Sequence, residues 1–499
     1  MQDEPIDVAI IGAGTAGLSA RAEVAKVTDS YRVFDPGPYG TTCARSACMP
    51  SKAFLQSAHD FHRRHAFDDL GIRGSESLSV DGAAVLGETR RLRDGLVKGV
   101  LEGMKGWRET HLVAQAPRFE DDGALRAGDR RFRPRATVIA TGSRPVLPGA
   151  WLDRFGDRVL TTAEFFELER LPRSMAVIGL GPVGLELGQA LARLGVEVTG
   201  FDPAPSLGGL EEPDLQDALR EALKGEMTLV QAEAELSEGE DEAIRMTWPD
   251  GEIEVEQVLA AMGRAPKLDE LALGHLGIEL GEDGRPALPE GQLNLPGTRV
   301  YLAGDAGHGP ALLHEASDEG RIAGYFAARD EDAVFRRRTP LRMVFCNPQI
   351  ALAGDSWEDL APREAEIAIG EASFEHAGRA RLQRAGGGKL RIYAEKATAR
   401  LLGAAIVAPE AEHLAHLLAF AIGEGADLEA LLRMPAYHPT HEEVLRRALR
   451  DALERTDVDA APLGAIRCKD SPVDGGAGAR PAPEARSCAS GTSSKGETP

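Results

Sequence analysis

The sequence predicts an α/β protein with two Rossmann-like dinucleotide-binding domains and a smaller α+β module near the C-terminus. Three observations lead to this prediction. A short apolar run passes directly into a G-x-G-x-x-G loop at 12–17, and the same order recurs at 179–184. From about residue 341 the pattern changes to alternating strands followed by helices, without a third glycine loop. Strand, glycine loop and helix in this order are typical of parallel βαβ units.

Length and composition limit the class of protein. A chain of 499 residues is long enough for about three domains with large buried cores. The formal net charge of -22 argues against nucleic acid and acidic membrane surfaces as partners. The sequence has no apolar run of about eighteen residues that would predict a membrane span, and residues 1–5 lack the basic start of a signal peptide. We therefore expect a cytoplasmic protein without nucleic-acid or membrane partners.

The first βαβ unit opens the chain. Residues 8–11 are predicted to form a buried strand, the loop 12–17 to open a helix to about Val27, and 32–34 to form a second strand. Glycines allow a tight turn and let a pyrophosphate approach the helix N-terminus, where free N–H groups stabilise anions. An acid about 20 residues further on is placed to bind a ribose hydroxyl. The candidate residues are Gly12, Gly14, Gly17 and Asp35. The alternative is a tight turn without a ligand.

Two cysteines follow in the stretch 40–52. Cys43 and Cys48 can form a disulfide if the residues between them make a helical turn, regular or distorted, and Lys52 would then lie on the helix that continues. A C-x4-C pair alone can also be a structural staple or half of a zinc site. Five cysteines are too few for a disulfide framework in so long a chain, and a pair in a reducing compartment is more often catalytic. Beside a nucleotide unit, this pair could exchange electrons with a bound cofactor.

The second βαβ unit follows the same plan. A predicted strand at 175–178 leads through the second glycine loop and a helix at 185–194 to a strand at 197–201. The candidate residues are Gly179, Gly181, Gly184 and Asp202. The loop 203–207 has no arginine or lysine to meet a 2′-phosphate, which favours NAD over NADP.

The other predicted elements set the domain limits. Further strands are expected at 137–139, 259–264, 300–305, 366–369 and 390–393, and helices within 57–104 and at 311–325, 411–422, 428–434 and 443–453. We predict a first nucleotide-binding domain with the cysteine pair at 1–150 and a second nucleotide-binding domain at 151–270. A segment that completes the first domain follows at 271–340, then an α+β module at 341–460 and a tail at 461–499. The tail is rich in Gly, Pro, Ser and charge, which predicts disorder.

With these motifs the chain resembles the flavin-dependent pyridine nucleotide–disulfide oxidoreductases, above all those that oxidise dihydrolipoyl groups. The motifs occur in the same order as in that family, over about residues 5–455. The resemblance implies FAD on the first unit, NAD on the second and a C-terminal module that forms a homodimer. The implied FAD contacts are Gly12, Gly14, Gly17, Asp35, Thr42, Lys52, Thr141, Gly142, Ser143, Asp305, Ala311, Leu312, Leu313 and His314. The implied NAD contacts are Gly179, Gly181, Gly184, Asp202 and Gly263.

The resemblance also implies the catalytic residues. Cys48 would be the thiol beside the flavin and Cys43 the thiol that exchanges with substrate. Lys52 and Glu186 match an ion pair near flavin N5, and His438 and Glu443 match an acid–base pair contributed by the partner subunit. Exchange chemistry agrees, because only a thiolate attacks a disulfide and a histidine held by a carboxylate can take and return the proton near neutral pH. Six other histidines are expected to be structural or solvated: His59, His62, His308, His413, His416 and His441.

The leading hypothesis is a homodimeric flavoenzyme that oxidises a lipoyl-bearing protein or small dithiol with NAD+, without a metal site. One alternative is a reductase of another disulfide, a quinone or a metal ion, and another is a non-catalytic redox-sensing flavoprotein. The chain departs from the family at Thr41 and Ala47, which replace usual glycines beside the cysteine pair, and at Asp35, which replaces a glutamate. Cys468 and Cys488 are expected in a solvated tail and not as a second redox pair.

Overall fold

The computed structural model describes residues 3–289, 291–329, 335–385 and 387–459. The predicted fold class is confirmed, because two sheets are built on parallel βαβ units and the last sheet of the chain is antiparallel. The tail 461–499, with Cys468 and Cys488, lies outside the described residues.

The first part of the chain forms most of the first sheet. Its elements are β1 (Glu4–Ile11), α1 (Thr15–Val24), β2 (Tyr31–Phe34), α2 (Thr42–Ser46), α3 (Cys48–His62), α4 (Gly82–His111), β3 (Leu112–Val113), β4 (Arg118–Phe119), β5 (Leu125–Ala127), β6 (Arg130–Ile139) and β7 (Ser143–Pro145). The strand order is β3–β2–β1–β6–β5–β4. Strand β6 begins seven residues before the predicted start, because its exposed, charged first half pairs with β5 in a hairpin.

The second part forms a parallel sheet of order β11–β10–β9–β15–β8 and a small antiparallel sheet, β12–β13–β14. Its elements are α5 (Gly149–Phe155), β8 (Val159–Leu160), α6 (Thr162–Phe165), β9 (Ser174–Ile178), α7 (Pro182–Arg193), β10 (Glu197–Phe201), α8 (Pro213–Leu223), β11 (Thr228–Val230), β12 (Glu235–Glu238), β13 (Ile244–Trp248), β14 (Gly251–Val255), β15 (Gln257–Ala260) and β16 (Arg264–Pro266). Strand β16 pairs antiparallel with β7, so this two-stranded ribbon links the two nucleotide-binding units.

The chain then returns to the first sheet. Strand β17 (Val300–Leu302) pairs in parallel with β6, and helix α9 (Leu313–Arg329) packs against α1. The last part contains β18 (Leu341–Val344), β19 (Gln349–Gly354), α10 (Trp357–Leu360), β20 (Ile367–Ser373), α11 (Gly378–Gln383), β21 (Lys389–Glu395), β22 (Leu401–Ala408), α12 (Ala411–Gly423), α13 (Leu428–Leu432) and α14 (Glu442–Leu453). Its antiparallel sheet has the order β18–β19–β22–β21–β20.

One apolar core joins the three units. Phe54 of α3, Leu185 of α7 and Ile350 of β19 belong to the same cluster of buried side chains. Each of these elements comes from a different unit, so the burial of apolar surface also fixes how the units sit against one another. The cleft described below lies at this junction.

The contact between α1 and α9 depends on glycine. A Cβ at Gly320 would lie 2.2 Å from the main-chain oxygen of Ala16, and one at Gly324 would lie 2.4 Å from that of Ala20. Glycine therefore lets the two helices approach closely, and this contact supports the helix that follows the first glycine loop.

We predict that Gly320→Ala lowers the free energy of unfolding. Forcing the backbones apart costs about 1–3 kcal/mol, which exceeds the roughly 1 kcal/mol gained by replacing a helical glycine. Gly103→Ala on α4 is the control, because a Cβ there meets nothing within 4 Å, and it should raise stability. Denaturant unfolding measures both variants. An equal rise in the free energy of unfolding of both variants would show that α1 and α9 can move apart without loss of stability.

Candidate active site

A cleft of about 1590 Å³ runs between the units. It is larger than the roughly 300–1,000 Å³ of an ordinary ligand pocket. Most of the sequence-predicted site residues line it: Gly12, Gly14, Asp35, Thr42, Cys43, Cys48, Lys52, Thr141, Gly142, Gly179, Gly181, Glu186, Asp202, Gly263, Asp305, Ala311, Leu312 and Leu313.

Six predicted residues do not line this cleft. Gly17 and Gly184 end the two glycine loops in the first turns of α1 and α7, where they pack against Gly12 and Gly179. Ser143 is buried and donates a hydrogen bond to Asp305. The side chain of His314 is 47% exposed at the start of α9. His438 and Glu443 lie on the C-terminal unit, outside the lining of this cleft.

The first glycine loop fits a pyrophosphate. Gly12 has a φ of +107°, and a Cβ there would lie 2.2 Å from the main-chain oxygen of Ala140. A Cβ at Gly17 would lie 1.9 Å from the oxygen of Gly12, so the loop closes tightly over the start of α1. Gly14, the N-cap of α1, has nothing within 4 Å of its Cβ position. The helix N-terminus is therefore open to an anion.

The second loop repeats this geometry. Gly179 has a φ of +95° with its Cβ position 2.4 Å from the oxygen of Ala261, and a Cβ at Gly184 would lie 1.8 Å from the oxygen of Gly179. Gly181 faces open space at the N-cap of α7. The cleft thus contains two open helix N-termini, each suited to one dinucleotide.

The two strand-end acids are held in the same way. Asp35 accepts the N–H groups of Ala13 and Gly37 at 2.6 and 2.7 Å. Asp202 accepts those of Leu180 and Ala204 at 2.7 and 2.9 Å. Each carboxylate oxygen keeps a further lone pair for a ribose hydroxyl. A carboxylate also repels a 2′-phosphate, in agreement with the preference for NAD over NADP.

A polar network and an unpaired hydroxyl lie between the loops. Thr141 Oγ1 is buried without a hydrogen-bond partner, as expected where a bound ligand would supply one. Ser143 Oγ donates to Asp305 Oδ2 at 2.6 Å and accepts from Arg264 Nε at 2.7 Å. Arg264, which sequence reasoning missed, thus connects β16 to an acid of the cleft. Its side chain acts across two units, and no local pattern marks it.

The cysteine pair sits where two helices meet. Cys43 lies in α2, Cys48 begins α3, and Ala47 breaks the helical path with φ -132° and ψ -105°. This is the distorted turn that the sequence allows. Both residues carry free thiols in hydrogen-bond contact with each other. Oxidation of this pair to a disulfide would release two protons and two electrons.

The two thiols have different acidities. The hydrogen bond from Cys43, assisted by the charge of Lys52, lowers the pKa of Cys48 to about 7. The same contact, together with burial, raises the pKa of Cys43 well above its ordinary value. When the reduced pair loses one proton, the negative charge therefore resides on Cys48, and Cys43 keeps its proton.

An ion pair lies next to Cys48. Lys52 Nζ contacts Glu186 Oε1 and Oε2 at 2.9 and 2.7 Å, and Glu186 is only 4% exposed. The N–H of Phe345 donates to Glu186 Oε1 at 2.9 Å, and Lys52 Nζ lies 4.8 Å from the centre of the Phe345 ring. α3, α7 and the C-terminal unit therefore meet at this pair.

His438 and Glu443 are in contact with each other on the C-terminal unit. His438 Nδ1 lies 3.0 and 3.1 Å from the two oxygens of Glu443. The hydrogen bond to His438 and the N–H of Thr440 hold the pKa of Glu443 below its usual value. A carboxylate on Nδ1 sets the tautomer that leaves Nε2 as the base. The side chain of His438 is 78% exposed, so Nε2 is available to another molecule.

Among the residues that the structure describes, no helix combines the length and the apolar character of a membrane span. No group of three or more His, Cys, Asp or Glu side chains is arranged there to hold a metal ion.

Two open dinucleotide sites beside a thiol pair define a dinucleotide-dependent thiol–disulfide oxidoreductase. Residues 6–320 match the family of pyridine nucleotide-disulphide oxidoreductases, and 341–449 match the dimerisation domain of that family. The chain belongs to this family and is an NAD-dependent disulfide oxidoreductase. The second match supports a homodimer. The family and its dihydrolipoyl dehydrogenases use FAD and NAD(H), which the two glycine loops fit.

Curated relatives cover nearly the whole described chain. Dihydrolipoyl dehydrogenase 1, mitochondrial, of Arabidopsis thaliana is 30% identical over 89% of this chain and 89% of the relative. Dihydrolipoyl dehydrogenase of Bacillus subtilis (strain 168) is 29% identical over 89% of this chain and 97% of the relative. Dihydrolipoyl dehydrogenase of Halobacterium salinarum is 30% identical over 90% of this chain and 96% of the relative. The resemblance to dihydrolipoamide dehydrogenase is therefore confirmed.

Solved structures show the same fold. The Cu(II) complex of the HOCl-induced flavoprotein disulfide reductase RclA from Escherichia coli has a TM-score of 0.77 at 20% identity and covers 90% of this chain and 99% of that one. LpdA from Mycobacterium tuberculosis has a TM-score of 0.76 at 22% identity, covering 89% and 99%.

We predict that Lys52→Met raises the pKa of Cys48 by about one unit, because an adjacent opposite charge is lost and the charge of Glu186 is no longer offset. The pH dependence of Cys48 alkylation in the reduced protein, followed by peptide mass, measures this. Lys98→Met, at an exposed site on α4, is the control and should leave the profile unchanged. An unshifted Lys52→Met profile would remove Lys52 as the cation that stabilises the thiolate.

Proposed function

We propose that this protein oxidises dihydrolipoamide, free or on a lipoyl-bearing protein, to lipoamide and reduces NAD+. The observation that carries the proposal is the contact between Cys43 and Cys48 in the same cleft as both glycine loops. FAD, when bound, supplies the two-electron carrier between the thiols and the nicotinamide. On the first loop its contacts would be Gly12, Gly14 and Asp35, with Thr141 offering the unpaired hydroxyl.

The thiol steps use the different acidities of the pair. Starting from a Cys43–Cys48 disulfide, one substrate thiolate attacks Cys43 Sγ, and Cys48 Sγ leaves as a thiolate. The second substrate thiolate then attacks the first substrate sulfur, so that the cyclic disulfide forms and Cys43 Sγ is released. Cys43 takes up a proton, and the negative charge stays on Cys48 beside Lys52. In total the substrate loses two electrons and two protons: the electrons and one proton reach NAD+ as a hydride while the Cys43–Cys48 disulfide re-forms, and the second proton passes to solvent.

The protons require a base. We propose that His438, oriented by Glu443, supplies it from a second copy of the chain. The exposure of His438 and its absence from the lining of its own cleft support a role in trans, since the family has a dimerisation domain and His438 lies in it. A base near neutral pH accelerates such proton transfers by about 10²–10⁴-fold.

The choice of dithiol rests on the relatives. Several curated relatives that align over most of their length are dihydrolipoyl dehydrogenases. The alternatives are other acceptors on the same scaffold, namely another disulfide, a quinone or a metal ion. The first experiment distinguishes them from dihydrolipoamide oxidation.

That experiment adds dihydrolipoamide and NAD+ to the purified protein under anaerobic conditions and follows NADH by its absorbance. We expect rapid NADH formation. No NADH, but bleaching of the flavin by added NADH, would reject the substrate and turn the search to the other acceptors.

We predict that Cys43→Ser and Cys48→Ser each abolish dihydrolipoamide oxidation, because a serine hydroxyl cannot form the disulfide that the exchange requires. The same NADH assay measures the loss. A Cys468→Ser/Cys488→Ser double variant is the control and should retain activity. Full activity of Cys48→Ser would reject the proposed thiol route, and loss in the double variant would favour a second redox pair.

We also predict that His438→Gln lowers kcat for dihydrolipoamide by about a hundredfold or more, because the exchange loses its base. Flavin bleaching by NADH should persist, since no proton from the dithiol is needed there. His413→Gln, at an exposed histidine of the same unit, is the control.

Mixed dimers test the role in trans. A dimer of one Cys43→Ser chain and one His438→Gln chain keeps one site in which native Cys43 meets native His438. Such mixtures should regain activity that neither variant has alone. A mixture as inactive as its components would mean that both residues act within one chain.

A further inference from the structure

A short segment of the C-terminal unit, residues 345–347, is held by side chains of both nucleotide-binding units. From α7, Glu186 accepts the N–H of Phe345 at 2.9 Å. Gln189 donates to the main-chain oxygen of Asn347 and accepts its N–H, both at 2.7 Å. Arg193 also donates to that oxygen at 3.2 Å. These three residues lie at i, i+3 and i+7, so one face of α7 binds the segment.

The remaining main-chain contact comes from α3. His59 Nε2 lies 3.3 Å from the main-chain oxygen of Phe345. His59 Nδ1 lies 2.7 Å from Arg193 Nη1. A carbonyl only accepts and a guanidinium only donates, so Nε2 carries the proton and Nδ1 presents its lone pair. His59 is thus a neutral imidazole in one tautomer.

The surroundings keep His59 neutral. Burial and the charge of Arg193 lower the pKa of His59, which outweighs the opposing effects of Glu226 and Asp60. The guanidinium of Arg193, 3% exposed, pairs with Glu226 through bonds of 2.7 and 2.9 Å. His62, one turn further along α3, lies 3.9 Å from Glu226, which is beyond hydrogen-bonding distance.

The peptide groups of Phe345 connect this cluster to the active site. Its carbonyl is held by His59, its N–H holds Glu186, and its ring lies over the ammonium of Lys52. Phe345 therefore contacts both members of the ion pair. His59 also lies two turns beyond Lys52 on the same face of α3, so one helix carries both ends of the connection.

We propose that His59 is a positioning residue, which fixes Phe345 and thereby holds the Lys52–Glu186 ion pair against Cys48. The inference rests on the redox role proposed for Cys48. His59 touches neither thiol and acts only through Phe345.

Three substitutions at this site test the proposal. His59→Leu removes both hydrogen bonds. The amide of His59→Gln can accept from Arg193 and donate to Phe345, so this variant should retain the native position of Phe345. His59→Asn keeps an acceptor for Arg193, so the buried guanidinium stays partnered, but its shorter amide does not reach the carbonyl of Phe345. His62→Leu on the same helix is the matched control, since it does not contact Phe345.

The main readout is the pH profile of Cys48 alkylation in the reduced holoprotein, followed by peptide mass. We expect His59→Leu and His59→Asn to shift the profile to higher pH, because the ammonium of Lys52 is held less closely to the thiolate. His59→Gln and His62→Leu should retain the native profile. The kcat for dihydrolipoamide should fall by about 10-fold to 100-fold in the first two variants, as misplacement near a reacting group commonly causes.

The outcomes separate this inference from the proposed function. If His59→Leu does not fold, the pH profile of His59→Asn tests the positioning role in its place. A folded, flavin-containing His59→Asn with the native profile would overturn the positioning role, as would an equal shift in His62→Leu or no rescue by His59→Gln. A shifted profile in a protein that does not oxidise dihydrolipoamide would reject the substrate and keep the positioning role.

Discussion

A buried carboxylate imposes the main constraint on this molecule. Glu186 is almost fully removed from water, and a charge in that position is tolerated only when it is paired and hydrogen-bonded. Its partners are the ammonium of Lys52 and the N–H of Phe345, and neither belongs to the unit that carries Glu186. The three units must therefore keep one relative arrangement to satisfy this group. That arrangement places the helix with Cys48 beside both glycine loops.

The features that could be predicted from the sequence are local. A glycine loop needs particular residues because a Cβ at Gly17 or Gly184 would strike the main-chain oxygen of the glycine five positions earlier. Steric exclusion of this kind leaves a pattern in the order of residues, so both loops and their strand-end acids were identifiable. The pair of His438 and Glu443 is also local, since a step of five residues across a turn and a helix start brings Nδ1 to the carboxylate.

The features that could not be predicted join distant parts of the chain. Arg264 meets Ser143 across 121 positions, and His59 meets Phe345 across 286. A histidine without a neighbouring motif is most often structural, which is why His59 was expected to be so. Its spacing from Cys48 and Lys52, at 11 and 7 residues, does place all three on one face of a helix. That signal is present in the sequence, but it acquires meaning only when the fold shows what the face contacts.

Thr41 shows how geometry can be kept when the residue type changes. Its φ of +60° and ψ of 147° lie in a region that side chains disfavour by about 1–3 kcal/mol. Its hydroxyl accepts the N–H of Ala44 at 3.1 Å, a cap worth about 1 kcal/mol. A threonine also loses less conformational entropy on folding than a glycine would. The backbone strain at Thr41 is thus offset by its cap hydrogen bond and by its smaller loss of conformational entropy. A residue other than glycine is therefore compatible with the contact between Cys43 and Cys48 that thiol exchange requires.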